Sequence, residues 1–181
     1  MAYSQNEIRT YTGVYMDPFA MRPEQVRIGD IAHSLSMMTR ANGHLNRFFS
    51  IAQHCLNCAK EARARGLSNR IRLACLLHDA AECYLADVPR PVKRRLSGYA
   101  EAEERVTKIV FAAFGIGDLS EDEKKAVGEI DDAMLYFEFF TLAGAKVSEY
   151  EPHVAAYPDF SEKTMPEVER EFLKEFETLT T

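Results

Sequence analysis

Leu76-Leu77-His78-Asp79-Ala80-Ala81-Glu82 sets an imidazole and two carboxylates inside an apolar helical segment. The residues around them, from position 71 to position 81, are mostly apolar, which indicates a helix buried in a core rather than one lying on its surface. An ionised carboxylate that is buried alone must find a partner or lose its charge, because its desolvation is costly. Asp79 therefore requires a positively charged partner, and a divalent cation is a strong candidate.

Further ligands for such a cation are expected on the inward faces of two other helices. His54 lies among apolar residues on the preceding helix, and the short connection between the two helices makes them antiparallel neighbours. Asp131 interrupts the apolar face of a later helix, where its neighbour Asp132 is the less favoured alternative. Glu82 is one turn beyond the His-Asp pair, so it can face the same groove without being a ligand. The predicted ligands are His54, His78, Asp79 and Asp131.

The ligand types limit the choice of metal. Two imidazoles and two carboxylates suit a divalent transition metal such as Mn, Co, Fe, Zn or Ni better than calcium. The C-x-x-C spacing of Cys55 and Cys58 suggests an alternative zinc or redox site, but there is no second such pair and both residues fall inside a helical pattern. We interpret all the cysteines as buried free thiols of a reducing compartment: Cys55, Cys58, Cys75 and Cys83.

The hydrophobic periodicity and the capping signals predict an all-α bundle of about six helices. The predicted helices run from Asp30 to about Arg40, from the capping box at Ser50 to about Ala64, from Ser68 or Asn69 to about Asp87, from Ala100 to Phe114, from Ser120 to Gly144, and from Thr164 to about 178. Residues 10 to 15 are β-prone around a glycine and predict a short hairpin or an extended arm. We expect a single domain over residues 1 to 181, with its core at about 28 to 144 and the last helix, about 165 to 178, at its edge.

Composition excludes some classes of function. A net charge of -6 argues against duplex nucleic acid as a partner, because phosphate neutralisation normally needs a basic face. No apolar run approaches the ~20 residues that span a bilayer, and the polar first residues lack the apolar core of a signal peptide. We therefore expect a cytoplasmic protein that does not enter a membrane.

The order of the predicted ligands resembles the H...HD...D pattern of the HD-domain metal-dependent phosphohydrolases. The run from His78 to Glu82, followed by Asp87-Val88-Pro89-Arg90-Pro91-Val92-Lys93, is similar to the H-D-x-x-E...D-x-P-x-P-x-K stretch of bacterial 5'-deoxynucleotidases and their phage and prophage relatives. The residues before the first histidine resemble the phage-type subgroup: Arg40, Gly43, His44 and Phe48-Phe49-Ser50. The likeness covers about residues 10 to 140.

This resemblance implies an HD-domain fold and roles for particular residues. The predicted metal ligands match those of the family, and Glu82 and Asp87 match acidic residues assigned to catalysis there. Arg40 matches an arginine that binds phosphate, and we expect Lys93 to assist it. We interpret His33 and His44 as core or supporting residues rather than ligands, with phosphate contact as the alternative for His44. His153 is expected in solvent.

The implied activity is metal-dependent removal of phosphate from 5'-nucleotides, most of all from deoxynucleoside 5'-monophosphates. A deoxynucleoside triphosphate triphosphohydrolase and a catalytically silent nucleotide-binding module are the alternatives. The aromatic residue that follows the arginine in the deoxynucleotidases is Ala41 here, so their sugar and base selectivity is not carried over. The implied partners are a small nucleotide and further copies of the chain, as a dimer or larger homo-oligomer. A basic cluster forms either a solvated face or an anion-steering rim: Arg90, Lys93, Arg94 and Arg95.

Overall fold

The structure, a computed structural model, describes residues 5 to 181. A short antiparallel hairpin opens this part of the chain, with β1 (Ile8–Arg9) paired to β2 (Tyr15–Met16) in the register Ile8 to Met16 and Arg9 to Tyr15. The hairpin predicted around residues 10 to 15 is therefore confirmed, with residues 10 to 14 forming its loop and Tyr15 lying in β2.

The rest of the described chain is helical and confirms the all-α bundle. The helices are α1 (Ile28–Met37), α2 (Ile51–Ala64), α3 (Asn69–Leu77), α4 (Glu82–Leu85), α5 (Arg90–Lys93), α6 (Tyr99–Ala113), α7 (Glu121–Leu142) and α8 (Met165–Thr180). Within residues 5 to 181, six of these have nine or more residues, and α4 and α5 are single turns. No helix in this range is long and apolar enough to span a bilayer.

Capping boxes begin three of the helices where the sequence predicts them. The hydroxyls of Ser50 and Ser120 accept hydrogen bonds from the backbone N–H groups of Gln53 and Glu123, and a third box begins at Thr164. Each box satisfies backbone donors that would otherwise lack partners in the first helical turn. These local signals therefore locate the starts of α2, α7 and α8 correctly.

The predicted first helix differs from α1 at both ends. Asp30 is not its cap but a buried residue of its first turn, where its carboxylate accepts hydrogen bonds from the N–H and hydroxyl of Thr12. The helix ends at Met37, because Thr39 pairs with Ser50 in an isolated bridge and the Arg40 N–H donates to the Phe49 carbonyl. Arg40 thus begins a separate 3-10 turn, Arg40–Gly43, rather than ending α1.

The helix that carries the His-Asp pair is shorter than predicted. It ends at Leu77, and the chain passes through a turn before α4 begins at Glu82. In this turn the N–H of Glu82 donates to the Asp79 carbonyl, an i to i+3 bond that is tighter than the α-helical one. His78 Nδ1 also contacts the Cys75 carbonyl, the acceptor that a continuing α-helix would offer to the Asp79 N–H. The His78 side chain therefore occupies an acceptor that the backbone would use if α3 continued.

The main core lies between α1, α2, α3 and α8. Ile31, Leu35 and Leu77 are fully buried in it. The last helix, which we expected at the edge of the bundle, packs against α1, α2 and α3 and buries Val168 and Phe172 in the same core. Helix α2 contacts α3 and α8, and it also contacts α1 and α7, so it is the central element of the bundle.

Residues 145 to 163 form no helix or strand, yet part of this loop is tied to α2. From residue 153 to residue 161 its backbone runs antiparallel to α2, held by side chains of that helix: Gln53, Asn57, Lys60, Glu61 and Arg65. The fully buried carboxylate of Glu61 accepts hydrogen bonds from the N–H groups of Ala155 and Ala156. The loop therefore covers one side of the helix that carries His54.

Ala86 is strained and offers a test of the backbone between α4 and Asp87. Its φ of 120° lies in a region that favours glycine. We expect Ala86→Gly to raise the free energy of unfolding by about 1 kcal/mol, because the strain of the Cβ is removed. Ala112→Gly, at an exposed position inside α6, should lower it by about 1 kcal/mol. Chemical denaturation measures both changes, and a loss of stability in Ala86→Gly would show that Ala86 is not strained.

Candidate metal centre

The four predicted ligands converge from two helices and the turn that follows a third. His54 comes from the first turn of α2, His78 and Asp79 follow the last residue of α3, and Asp131 lies on α7. The Nε2 atom of His54 is 3.2 Å from His78 Nε2, 3.1 Å from Asp131 Oδ1 and 3.6 Å from Asp79 Oδ2. His78 Nε2 is 3.3 Å from Asp79 Oδ1 and 3.8 Å from Asp131 Oδ1. Each imidazole Nε2 atom thus has an oxygen of both carboxylates within 3.8 Å.

The outer nitrogen of each ring contacts an oxygen acceptor. His54 Nδ1 lies 2.6 Å from Glu138 Oε1, and His78 Nδ1 lies 2.8 Å from the Cys75 carbonyl. Neither acceptor can donate a hydrogen bond when Glu138 is ionised, so a neutral ring carries its hydrogen on Nδ1. The Nε2 lone pair of each ring then faces the other predicted ligands. Two such lone pairs and two carboxylates repel one another unless a cation or protons lie between them.

A divalent cation fits this arrangement. Ligands bonded at about 2.1 Å in tetrahedral or octahedral geometry are about 3.0 to 3.4 Å apart, close to the donor separations seen here. Burial disfavours the charged imidazole of His78, but the charge of Asp79 and the contacts with Cys55 and Asp131 together outweigh burial and raise the pKa of His78 well above its ordinary value. The cluster therefore holds protons when metal is absent. Metal must displace them, so its affinity rises with pH.

Two of the thiols offer alternative ligands. Cys58 can join His54 and His78, and Cys55 can join His78 and Asp79, in groups with metal-binding distances. Burial raises the pKa of Cys55 to about 11 and that of Cys58 well above its ordinary value, whereas the thiolate is the form that binds metal. Burial would raise the pKa of Asp131, but its contacts with His54 and His78 lower it well below its ordinary value. We therefore retain the carboxylates as ligands. All the cysteines are free, as expected.

Glu138 is the residue of this centre that sequence reasoning missed. It lies on α7, is 1% exposed, and contacts Arg40 Nε at 3.3 Å through the oxygen that does not face His54. Burial would raise its pKa, but the positive charges of His54 and Arg40 lower it. A signal was present, because Glu138 interrupts an apolar stretch two helical turns after Asp131.

Arg40 lies against the centre, as predicted. Its side chain is largely buried, with Nη1 3.3 Å from Asp79 Oδ2. The turn that follows places Ala41, Asn42 and Gly43 at φ values of 52°, 50° and 76°, and two of these are not glycine. Left-handed non-glycine residues of this kind persist where the surrounding structure fixes them, often at functional sites. The backbone thus turns sharply at the point that aims Arg40 inward.

A cleft of about 490 Å³ opens beside these residues. Arg40, Asp79 and Asp131 line it together with both predicted catalytic acids, Glu82 and Asp87. Glu82 is 5% exposed, and its Oε2 atom lacks a hydrogen-bond partner among residues 5 to 181. Burial and the charge of Asp79 raise the pKa of Glu82 to about 10, and a divalent cation held by Asp79 would offset part of this shift.

Of the other two predicted substrate contacts, Lys93 lines the cleft and His44 does not. Lys93 lines the cleft, but its Nζ is 2.6 Å from Glu103 Oε1 and lies over the Tyr99 ring. His44 follows the turn after Arg40, is exposed and is not among the residues that line the cleft, so its contact with phosphate stays a prediction.

Arg90 closes one side of the centre. Its guanidinium contacts Asp131 Oδ2 at 2.6 Å and also Asp132 Oδ1. Asp131 therefore faces the histidines, while Asp132 lies outside with Arg90. Arg90, Lys93 and Arg94 line the cleft, but Arg95 does not, so only part of the basic cluster forms a rim.

A second groove of about 760 Å³ adjoins the cleft and shares Arg90, Leu135 and Val147 with it. It is the larger of the two, yet its lining includes none of the four predicted ligands. We assign the chemistry to the smaller cleft for that reason.

Glu138 provides a test of how His54 is held. Glu138→Gln should weaken Co²⁺ binding about 10- to 100-fold, because the amide no longer fixes the ring of His54 with a charged acceptor. Chelator competition measures the affinity. Glu129→Gln, an exposed change on the same helix, is the control and should leave it unchanged. Equal affinities in the two variants would mean that Glu138 does not support the site.

Comparison with known proteins identifies two relatives. The chain is 35% identical to an uncharacterized protein of Rhodobacter capsulatus over an alignment of 148 residues, and the alignment covers 78% of this chain and 75% of that protein. It is 33% identical to the uncharacterized protein YfdR of Escherichia coli over 109 residues, which are 60% of this chain and 58% of YfdR, so it spans less than two thirds of that relative. No model of a protein family matches. The chain belongs to the same family as the uncharacterized Rhodobacter capsulatus protein.

Proposed function

We propose that the protein is a metal-dependent phosphohydrolase that removes phosphate from 5'-nucleotides, most of all from deoxynucleoside 5'-monophosphates. The observation that carries the proposal is the meeting of His54, His78, Asp79 and Asp131 beside a cleft that Asp79 and Asp131 line together with Arg40 and Glu82. The resemblance of these residues to the HD-domain pattern supports the same activity. We also propose that the protein acts as a homo-oligomer, as the resemblance implies.

The reaction needs a phosphate held in place and an activated water. A bound divalent metal supplies Lewis acidity toward a phosphoryl oxygen and toward water. Among residues 5 to 181, Arg40 uses Nε and Nη1 for its contacts with Glu138 and Asp79 and leaves Nη2 available, and its planar group suits phosphate oxygens. Arg40 would therefore hold the phosphate next to the ligand cluster.

The two acids of the cleft are proposed to move protons. Water attacks phosphorus, the bond from phosphorus to the 5' oxygen breaks with its electron pair going to that oxygen, and the oxygen takes up a proton. Glu82 would orient the water or accept its proton, and Asp87 would protonate or position the leaving oxygen. The reverse division of these two roles is equally compatible with their positions in the cleft.

The other wall of the cleft suits the nucleoside. Its apolar members come from three parts of the chain: Leu45, Leu135, Phe139 and Val147. A cleft of about 490 Å³ is within the range of small-molecule sites and combines this wall with a charged floor. The cations at the rim offset the negative net charge of the chain for an anionic substrate.

Two alternatives remain. The adjoining groove meets the cleft at Arg90, which favours a longer substrate such as a deoxynucleoside triphosphate. A silent nucleotide-binding module would use the same cleft without turnover. The presence of Glu82, buried and without a hydrogen-bond partner among residues 5 to 181 for one oxygen, favours an enzyme.

A release assay separates these functions. Purified protein is incubated with each divalent metal and a panel of nucleoside and deoxynucleoside mono- and triphosphates, and inorganic phosphate, pyrophosphate and triphosphate are resolved. We expect phosphate from deoxynucleoside monophosphates, and loss of both metal and activity in His78→Ala and Asp79→Ala. Triphosphate release would support the first alternative. Nucleotide binding without release of any product would contradict the proposed hydrolysis.

Glu82 can be separated from the ligands. Glu82→Gln should retain metal and bind nucleotide but lose roughly 100-fold in turnover, because an amide cannot accept the proton. Glu101→Gln, a change of the same type on α6 outside the cleft, is the control. Loss of metal in Glu82→Gln would identify Glu82 as a further ligand instead.

A further inference from the structure

Arg90 occupies an unusual place at the mouth of the cleft. It is the first residue of the single-turn helix α5 and lies between Pro89 and Pro91, which restrict the backbone on both sides. About half of its side chain is exposed, yet its guanidinium contacts two carboxylates, those of Asp131 and Asp132. Arg90 also lines both the cleft and the adjoining groove.

The two oxygens of Asp131 have different partners. Oδ1 is 3.1 Å from His54 Nε2 and 3.8 Å from His78 Nε2, so it faces the candidate metal centre. Oδ2 is 2.6 Å from Arg90 Nη2 and faces the mouth of the cleft. The carboxylate is thus held with one oxygen inward and one outward.

We infer that Arg90 is a positioning residue that makes Asp131 a one-oxygen ligand, and that Asp132 holds Arg90 in place. The inference rests on the proposed metal-dependent function. A charge-assisted hydrogen bond to Oδ2 competes with coordination of that oxygen, so the carboxylate occupies one position on a cation instead of two. The position left open is available to water and to a phosphoryl oxygen, which a hydrolytic centre requires.

Two other roles for Arg90 make different predictions. An arginine that binds the substrate phosphate would change KM first, although the Arg90 guanidinium already contacts carboxylates through Nη1 and Nη2. A surface ion pair without a role at the centre would change neither the metal environment nor turnover. A positioning residue changes the metal environment and kcat together while KM stays close to its original value.

The experiment uses the full chain loaded with Co²⁺ alone, whose visible absorption weakens as its coordination number increases. In Arg90→Gln we expect weaker absorption and an affinity for Co²⁺ altered about tenfold or more, by chelator competition. Turnover of a deoxynucleoside monophosphate should fall about tenfold or more with KM nearly constant. Asp132→Asn should change the absorption, the Co²⁺ affinity and the turnover in the same direction as Arg90→Gln, but by less. Arg90→Lys should retain more of the wild-type absorption and turnover than Arg90→Gln does.

Arg95→Gln is the matched control, because it removes the same charge from the same segment outside the cleft and should change none of these quantities. An unchanged Co²⁺ spectrum in a folded Arg90→Gln protein overturns the inference, whether KM rises or stays constant. Wild-type protein that takes up Co²⁺ but hydrolyses no nucleotide overturns the proposed function, while the spectra still decide the role of Arg90. Wild-type protein that takes up no Co²⁺ overturns both.

Discussion

The buried contact between His54 of α2 and Glu138 of α7 sets the geometry of the candidate centre. It places the hydrogen of a neutral His54 on Nδ1, so the Nε2 lone pair faces His78, Asp79 and Asp131. The second oxygen of Glu138 contacts Arg40, which in turn contacts Asp79. Removal of Glu138 would leave two buried basic groups without their closest acidic partner, and losses of that kind are strongly destabilising. One carboxylate thus links the metal ligands to the proposed phosphate site.

The same arrangement ties the stability of the fold to a bound cation. Helix α2 packs on the apolar core through one side and is held by residues 153 to 161 on another, so His54 has little freedom to move. The carboxylates of Asp79 and Asp131 lie close to the Nε2 atoms of the two rings. Without a cation or protons between them, the carboxylate oxygens and the Nε2 lone pairs repel one another. A ligand that binds only the folded protein stabilises it by mass action, so metal should raise the unfolding midpoint. Core packing holds the donors in place, and the cation would relieve their repulsion.

Much of the fold was predictable because its signals are local. Capping boxes and the 3.6-residue period identify the helices. The positions of His54, His78 and Asp131 in apolar helical segments, with the resemblance to the H...HD...D pattern, identify donors that the structure brings together. The errors arise where distant contacts override local preference. The bonds of Arg40 and Thr39 to the segment before α2 end α1 early, and the contact of His78 with Cys75 coincides with the break after α3. Glu138 and the contact of Arg90 with Asp131 were missed because both depend on partners far away in the sequence.

Anomalous diffraction from crystals grown with Mn²⁺ or Co²⁺ tests whether the four donors bind one metal. The account predicts a single peak at the centre, with Nε2 of both histidines and oxygens of Asp79 and Asp131 at about 2.0 to 2.2 Å. A peak ligated by Cys55 or Cys58 in place of the carboxylates would contradict it. The absence of an anomalous peak at the four donors at saturating metal would also contradict the account.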